Sequence, residues 1–416
     1  MRRIGPAFEE REFRLWWLAL LGMGVSLQML EVAIGWEVYA QHRSPLDLGW
    51  IGLAEFVPMF VLALPAGQLA DRLPRRLVFA FSLLLGAGVG VGLALVTASG
   101  DTSVSPYLAL AVGAGIAMAI GSPAARAMST TLVSPDLLQS AMTLRSIATQ
   151  MSQVVGPALG GLLYATSPTL VYLLSAGVCL SASACVIAMR ARPAVEVDGG
   201  GSVAPGLESV LEGLRFVGRT QILLDLLAVL FGGAVALLPV FARSVLHVGP
   251  AGLGILRAAP AVGALVAATV ITRRPIAGRA GRTLLTVVAL YGASIVVFGL
   301  SRSYPLSLLA LGVSGFVDLF SMNIRSTTVA LATPDWLRGR VMAVEMVFIG
   351  ASNQLGAFES GFAASLVGTI PAVVGGGVIT MLIALGWSRI FPTLAHVDRL
   401  EHIVPPASAP AEAATV

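Results

Sequence analysis

Twelve apolar runs, each about 20 residues long and divided by short polar or arginine-bearing breaks, constrain this chain more than anything else in it. They span approximately 14–39, 48–70, 77–97, 105–128, 141–165, 169–189, 220–244, 249–271, 283–300, 305–331, 341–367 and 370–389. About 20 apolar residues in a helix cross the hydrocarbon core of a bilayer. Composition agrees: 56% of residues are hydrophobic and only 12% charged, about half the charged share of a soluble domain. The expected fold is all-α and integral to the membrane. The first run follows Met1-Arg2-Arg3, but Glu9, Glu10 and Glu12 precede it and no small-residue cleavage site ends it, so it reads as a retained helix.

Arginine sets the expected orientation. All 26 basic residues are Arg, and 19 of them fall on the side of the N-terminus and the even-numbered helix exits, against only Arg43, Arg243 and Arg302 on the other. The positive-inside rule then places both termini in the cytoplasm, and a bacterial inner membrane is the expected location. A net charge of +4, scattered over 416 residues, gives no nucleic-acid surface. Cys179 and Cys185 lie on different faces of one helix, and the four histidines fall in loops or the tail, so no disulfide, metal or cofactor is expected.

The chain divides at 191–218, where a glycine-rich stretch (Gly199-Gly200-Gly201-Ser202) precedes a short amphipathic segment at 207–217. Six spans lie in 1–190 and six in 219–390, and the low-complexity tail 391–416 reads as disordered. The halves also echo each other. Arg126, Ser134, Pro135, Asp136 and Leu138 recur 199 residues later as Arg325, Thr333, Pro334, Asp335 and Leu337. Gly52, Glu55 and Pro58 find a second echo in Gly254, Arg257 and Pro260, offset by 202. Parallel six-helix repeats about an axis along the membrane normal describe a major facilitator transporter.

Between the second and third spans, Gly67, Asp71, Arg72, Arg75 and Arg76 are similar to the signature loop of the major facilitator superfamily, with Pro74 where the family has its second glycine. Phe13-Arg14, Leu214-Arg215-Phe216, and Thr333-Pro334-Asp335 followed by Gly339-Arg340 resemble the enterobactin exporter-like branch of drug and siderophore efflux proteins. The resemblance covers nearly the whole chain. It implies a charge latch at the signature loop: an anion at Asp71, facing Arg75 or Arg76 and the N-terminus of a helix starting near Val341, holds the cytoplasmic side closed. The alternative role for these arginines is to anchor topology against anionic lipid.

Ionisable groups inside the spans are the other signal, because each costs about 2.5–3.5 kcal/mol to insert. Glu31, Glu55, Asp318 and Glu359 fall well inside their runs, with Arg126, Arg257 and Arg325 as buried cations. A carboxylate in a low-dielectric cavity is able to exchange a proton near neutral pH, which suits proton-coupled antiport. In the family the first, fourth, seventh and tenth spans line the cavity. That geometry implies Glu31, Arg126, Asp318 and Arg325 as cavity residues, with Glu55, Arg257 and Glu359 on spans of the moving interface. Asn353, Gln354, Gln28, Gln150 and Gln153 are candidates for hydrogen-bonding a substrate, against a competing role in holding helices together. The expected function is export of amphiphilic small molecules by alternating access, in a monomer whose partners are substrate, protons and lipid. A facilitator or importer of a small metabolite on the same fold is the nearest rival and a membrane receptor a distant one. No nucleophile–base constellation or ATP-binding loop appears, so neither an enzyme nor a primary pump is expected.

Overall fold

The computed structural model describes residues 5–190, 234–273, 280–332 and 335–390, apart from the side chains at 63–64, 70–71, 130, 280, 329–332, 335–349, 351 and 387–390. The expected linker at 191–218, the first part of the seventh span and the tail at 391–416 lie outside the described residues. What is described is helical throughout: α1 (Arg11–His42), α2 (Pro45–Arg72), α3 (Arg75–Ser99), α4 (Ser105–Thr131), α5 (Leu138–Thr166), α6 (Pro168–Ile187), α7 (Ala234–Val245), α8 (Pro250–Arg273), α9 (Ala280–Leu300), α10 (Tyr304–Ala332), α11 (Asp335–Val367) and α12 (Thr369–Ile390). Nine of these are long and apolar enough to cross a membrane. Of the other three, α7 is described only from Ala234. The remaining two, α5 and α11, are symmetry mates: in the described part of α5, the polar Thr143, Arg145, Thr149 and Gln150 keep it below the mark.

The chain marks its own helix boundaries. Pro45, Pro168 and Pro250 open α2, α6 and α8, where their missing N–H costs nothing. Ser44 also caps α2, its Oγ accepting the Asp47 N–H at 3.3 Å. At the other ends, Arg43, Gly100 and Gly368 take positive φ and close α1, α3 and α11. In the loop after α3, the Asp101 carboxylate accepts from the N–H and hydroxyl of Ser103 at 2.9 and 2.8 Å, which holds its pKa below the usual value.

Packing repeats between the halves. In the first half α3 lies on α6 and α4, and α2 on α4; in the second α9 lies on α12 and α10, and α8 on α10. The halves meet through two symmetry-related contacts, α5 with α8 and α2 with α11. Both are glycine crossings. A Cβ on Gly161 would stand 3.0 Å from the Gly254 Cα, and one on Gly361 would stand 3.1 Å from the Gly49 Cα. The same equivalence holds inside the halves, where Gly115 abuts the Glu55 carbonyl and Gly315 abuts the Pro260 carbonyl. Gly49 therefore matches Gly254, and Glu55 matches Pro260, an offset of 205 on α2 and α8. This corrects the 202-residue register read from the sequence: Glu55 and Arg257 are not repeat mates, because close helix contact, rather than residue likeness, fixes the equivalence.

With the side where α1 begins called near, all these glycine crossings between halves lie toward the far side. The core is distributed the same way. One cluster of buried residues in the far half runs through both bundles, from Val38 and Leu93 to Phe241, Phe298 and Val373, with the Phe241 and Phe298 rings 4.6 Å apart. The near-side cluster, around Phe13, Trp16 and Phe79, draws its described members from the first half alone. There Trp16 and Trp17 donate their indole N–H groups to the carbonyls of Ala125 (3.1 Å) and Leu144 (2.7 Å), pinning α1 to α4 and α5.

Candidate functional site

Just inside the far-side closure, where the halves meet, lies a cavity of about 410 Å³. Its wall is mostly aliphatic, with a few polar groups: Gln28 and Glu31 from α1, Glu55 from α2, Arg257 from α8, Tyr291 from α9, and Asn353 and Gln354 from α11. Gln28 and Glu31 are three residues apart and so share a helix face. Glu55 is set by two close approaches of its own helix. Its carbonyl lies against Gly115 of α4, while Gly52, one turn earlier, faces the Gln354 Oε1 at 3.3 Å from where a Cβ would sit. α7 contributes Val235, Ala236 and Pro239 to the wall, and around Pro239 its backbone passes from 3₁₀ through one α turn to a π turn at Phe241–Val245. Irregular backbone at membrane depth is tolerated where it borders a cavity.

The charged groups come from both halves. Arg257 donates from Nη2 to the Glu31 Oε2, with both side chains about a fifth exposed. This is an ion pair between α1 of one bundle and α8 of the other. Glu55 stands close enough to feel repulsion from Glu31 and attraction from Arg257, yet among the described residues it forms no hydrogen bond or ion pair. With all three ionised, the group carries a formal charge of −1.

The other sequence candidates sit elsewhere. Asp318 of α10 is exposed and does not line the cavity, but it stands near enough to Tyr291 for its charge to act there. Arg325, two turns farther along α10, is buried, whereas Arg126 is exposed beside Arg145 of α5, where the two cations repel. Neither lines the cavity, since both lie toward the near ends of their helices. Glu359 lies on the far part of α11, next to the buried Ser360, and does not line the cavity. In the signature loop, a Cβ on Gly67 would meet nothing within 4 Å, and Arg72 is exposed. Arg76 donates to the Met189 carbonyl just past α6, a tie within the first half. The side chain of Asp71 lies outside the described residues, so the latch contact does too.

Two sets of contacts were not legible in the sequence, which shows Glu37 only as an ionisable residue near the outer end of the first span. Near the far end of α1, Glu37 is buried and accepts from Tyr172 Oη at 2.5 Å and Thr97 Oγ1 at 2.9 Å, a polar knot inside the first half. One face round, α1 clasps α7: Tyr39 Oη and Ser244 Oγ are 2.8 Å apart, and the Arg243 guanidinium sits 5.5 Å from the centre of the Trp36 ring. Only the unusual far-side position of Arg243 signalled this clasp in the sequence.

The sequence matches the transmembrane secretion effector family over residues 5–407. Among curated proteins it is 28% identical over 368 residues to the multidrug efflux pump Tap of Mycolicibacterium fortuitum, covering 84% of this chain and 88% of that one. It is also 27% identical over 338 residues to the enterobactin exporter EntS of Citrobacter koseri, with 79% of each chain covered. Among solved structures, a mutant of the nucleoside transporter NupG superposes with a TM-score of 0.73 at 12% identity, over 92% of this chain and 100% of that one. The xylose transporter XylE from E. coli, in an inward-open conformation, gives 0.66 at 14% identity over 95% and 99%.

Proposed function

Because the chain belongs to the transmembrane secretion effector family of the major facilitator superfamily, and is a multi-pass membrane transporter rather than an enzyme, we propose that it exports amphiphilic small molecules in exchange for protons. The observation that carries this reading is the Arg257–Glu31 ion pair, which joins the two bundles on the wall of the cavity. A pair placed there ties the conformation of the bundles to the protonation of a carboxylate. Protonating Glu31 removes the attraction and weakens the closed far side, so proton binding and alternating access act on one contact. The relatives, a multidrug efflux pump and an enterobactin exporter, support the outward direction of transport, and the mostly aliphatic wall with its few polar groups supports an amphiphilic substrate.

On this reading both termini are cytoplasmic, the far side is periplasmic, and the protein works as a monomer in the inner membrane with its cavity serving the cytoplasm. Asp71 acts in the opposite state, as the anion of a near-side latch, while Arg76 keeps its tie to Met189. The test is ethidium accumulation in inverted vesicles carrying the protein. Wild type accumulates the dye when the lumen is acid and loses it when nigericin collapses the pH gradient, whereas Glu31→Gln abolishes the dependence on the gradient at equal protein level. Ethidium movement indifferent to the gradient, or running out of the vesicles, contradicts the proposal.

A further inference from the structure

We infer that Arg126 and Arg145 form a second binding site, outside the cavity and toward the near side, that takes the oxyanion head, phosphate or carboxylate, of an anionic amphiphile. The site goes beyond the transporter reading above, and binding tests it without recourse to transport.

Three observations carry it. First, a common support sets the two arginines side by side. The Trp16 and Trp17 indoles of α1 donate to the carbonyls of Ala125 and Leu144, the residues immediately before Arg126 on α4 and Arg145 on α5. The two guanidinium groups stand close enough to repel, and among the described residues neither has a hydrogen-bond or ion-pair partner. Two like charges held together in this way gain from an anion placed between them. The guanidinium fork matches the oxygens of a phosphate or carboxylate, two N–H groups to two acceptors.

Second, α5 turns its arginine away from lipid. Two stripes of residues four apart run along this helix. Ile147, Met151, Val155 and Leu159 are exposed and apolar, whereas the partly exposed Arg145 is continued by the exposed Thr149 and Gln153. The stripes are offset by two residues, about 200° around the helix, and so lie on opposite faces. The apolar stripe suits lipid; the polar one suits the space between the bundles, because charged groups at membrane depth face a bundle interior or a water-filled cavity. Third, the polar stripe leads to the cavity. Gln153 lies one turn before Gly156, which abuts Gln28 of the cavity wall. The level of Trp17 is about 16 Å from that of Gln28 along α1. An amphiphile with its head between the arginines therefore lays its body along α5 toward the cavity. A lipid headgroup from the bilayer and a soluble amphiphile from the near side offer the same oxyanion.

The probes are hexyl phosphate and hexyltrimethylammonium, an anion and a cation with the same chain, titrated calorimetrically into the purified full-length protein in phosphatidylcholine nanodiscs. Hexyl phosphate binds the wild type. Arg126→Gln and Arg145→Gln each weaken it by about tenfold or more, and the double variant is scarcely weaker than either, since one ligand bridges both side chains. A measurement on the wild type needs no variant: hexyl phosphate slows phenylglyoxal modification of Arg126 and Arg145, read by mass spectrometry, and hexyltrimethylammonium does not. Nanodiscs containing phosphatidylglycerol separate the two sources. Hexyl phosphate binding lost there identifies the lipid headgroup as the occupant, and binding retained there identifies a soluble amphiphile. No binding of hexyl phosphate in phosphatidylcholine, an affinity unchanged in both single variants, or equal protection by hexyltrimethylammonium overturns the inference. Gradient-dependent ethidium transport beside such a result leaves the exporter reading standing.

Discussion

At the scale of single residues, the cavity is governed by how three charges share one compartment. Arg257 is the only described cation on its wall, and two carboxylates depend on it. Replacing it with Gln leaves Glu31 and Glu55 facing each other across a poor dielectric. Because the pair is about a fifth exposed, the loss in stability is about 1–3 kcal/mol, below the cost of breaking a fully buried pair. Arg257→Gln is accordingly expected to lower the melting temperature of the purified protein, and adding Glu31→Gln to recover most of the loss. A double variant as unstable as the single one means that the two side chains do not depend on each other. The charged residues themselves were legible in the sequence, since ionisable groups inside apolar runs stand out. Their partners were not. Glu31 and Arg257 are 226 residues apart, and only the packing of α1, α2 and α8 around one cavity gathers them with Glu55.

Among the elements, α2 with α11 and α5 with α8 form the two symmetry-related far-side contacts between the bundles. Each crosses at a pair of glycines whose missing Cβ atoms permit backbone contact: Gly49 with Gly361, and Gly161 with Gly254. A branched side chain at either site forces the far ends of the helices apart. Gly161→Ile and Gly361→Ile are thus expected to shift the protein toward far-side-open conformations, read as increased maleimide labelling of a cysteine at Arg302, a far-side loop position. Labelling equal to that of the parent contradicts the role given to the crossings. The helices themselves were readable from apolar run length, and their ends from Pro45, Gly100, Pro168 and Pro250. The repeat register was not. Similar residues suggested 202, whereas contacts made by glycines give 205, because a glycine's value here lies in what it lets approach, which is invisible along one chain.

For the whole molecule, the closed far side, where one core cluster runs through both bundles, defines the state. The far-half cluster runs through both bundles and the α1–α7 clasp reinforces it, whereas the described near-side cluster belongs to the first bundle. Rocking the bundles must break the far-side contacts and the Arg257–Glu31 pair together. The two-bundle architecture was already implied by the echoes at the loops before the fifth and eleventh spans. Which side is closed was not, since both states are built from the same sequence and differ only in which contacts are made. Protonation is expected to loosen the cross-bundle tie, and a distance across the far side reads that loosening. Spin labels at Thr102, in the α3–α4 loop, and Arg302, in the α9–α10 loop, report that distance by double electron–electron resonance. One short-distance population is expected at alkaline pH and a growing longer one on acidification, which Glu31→Gln populates even at alkaline pH. A distribution that responds neither to pH nor to Glu31→Gln contradicts it.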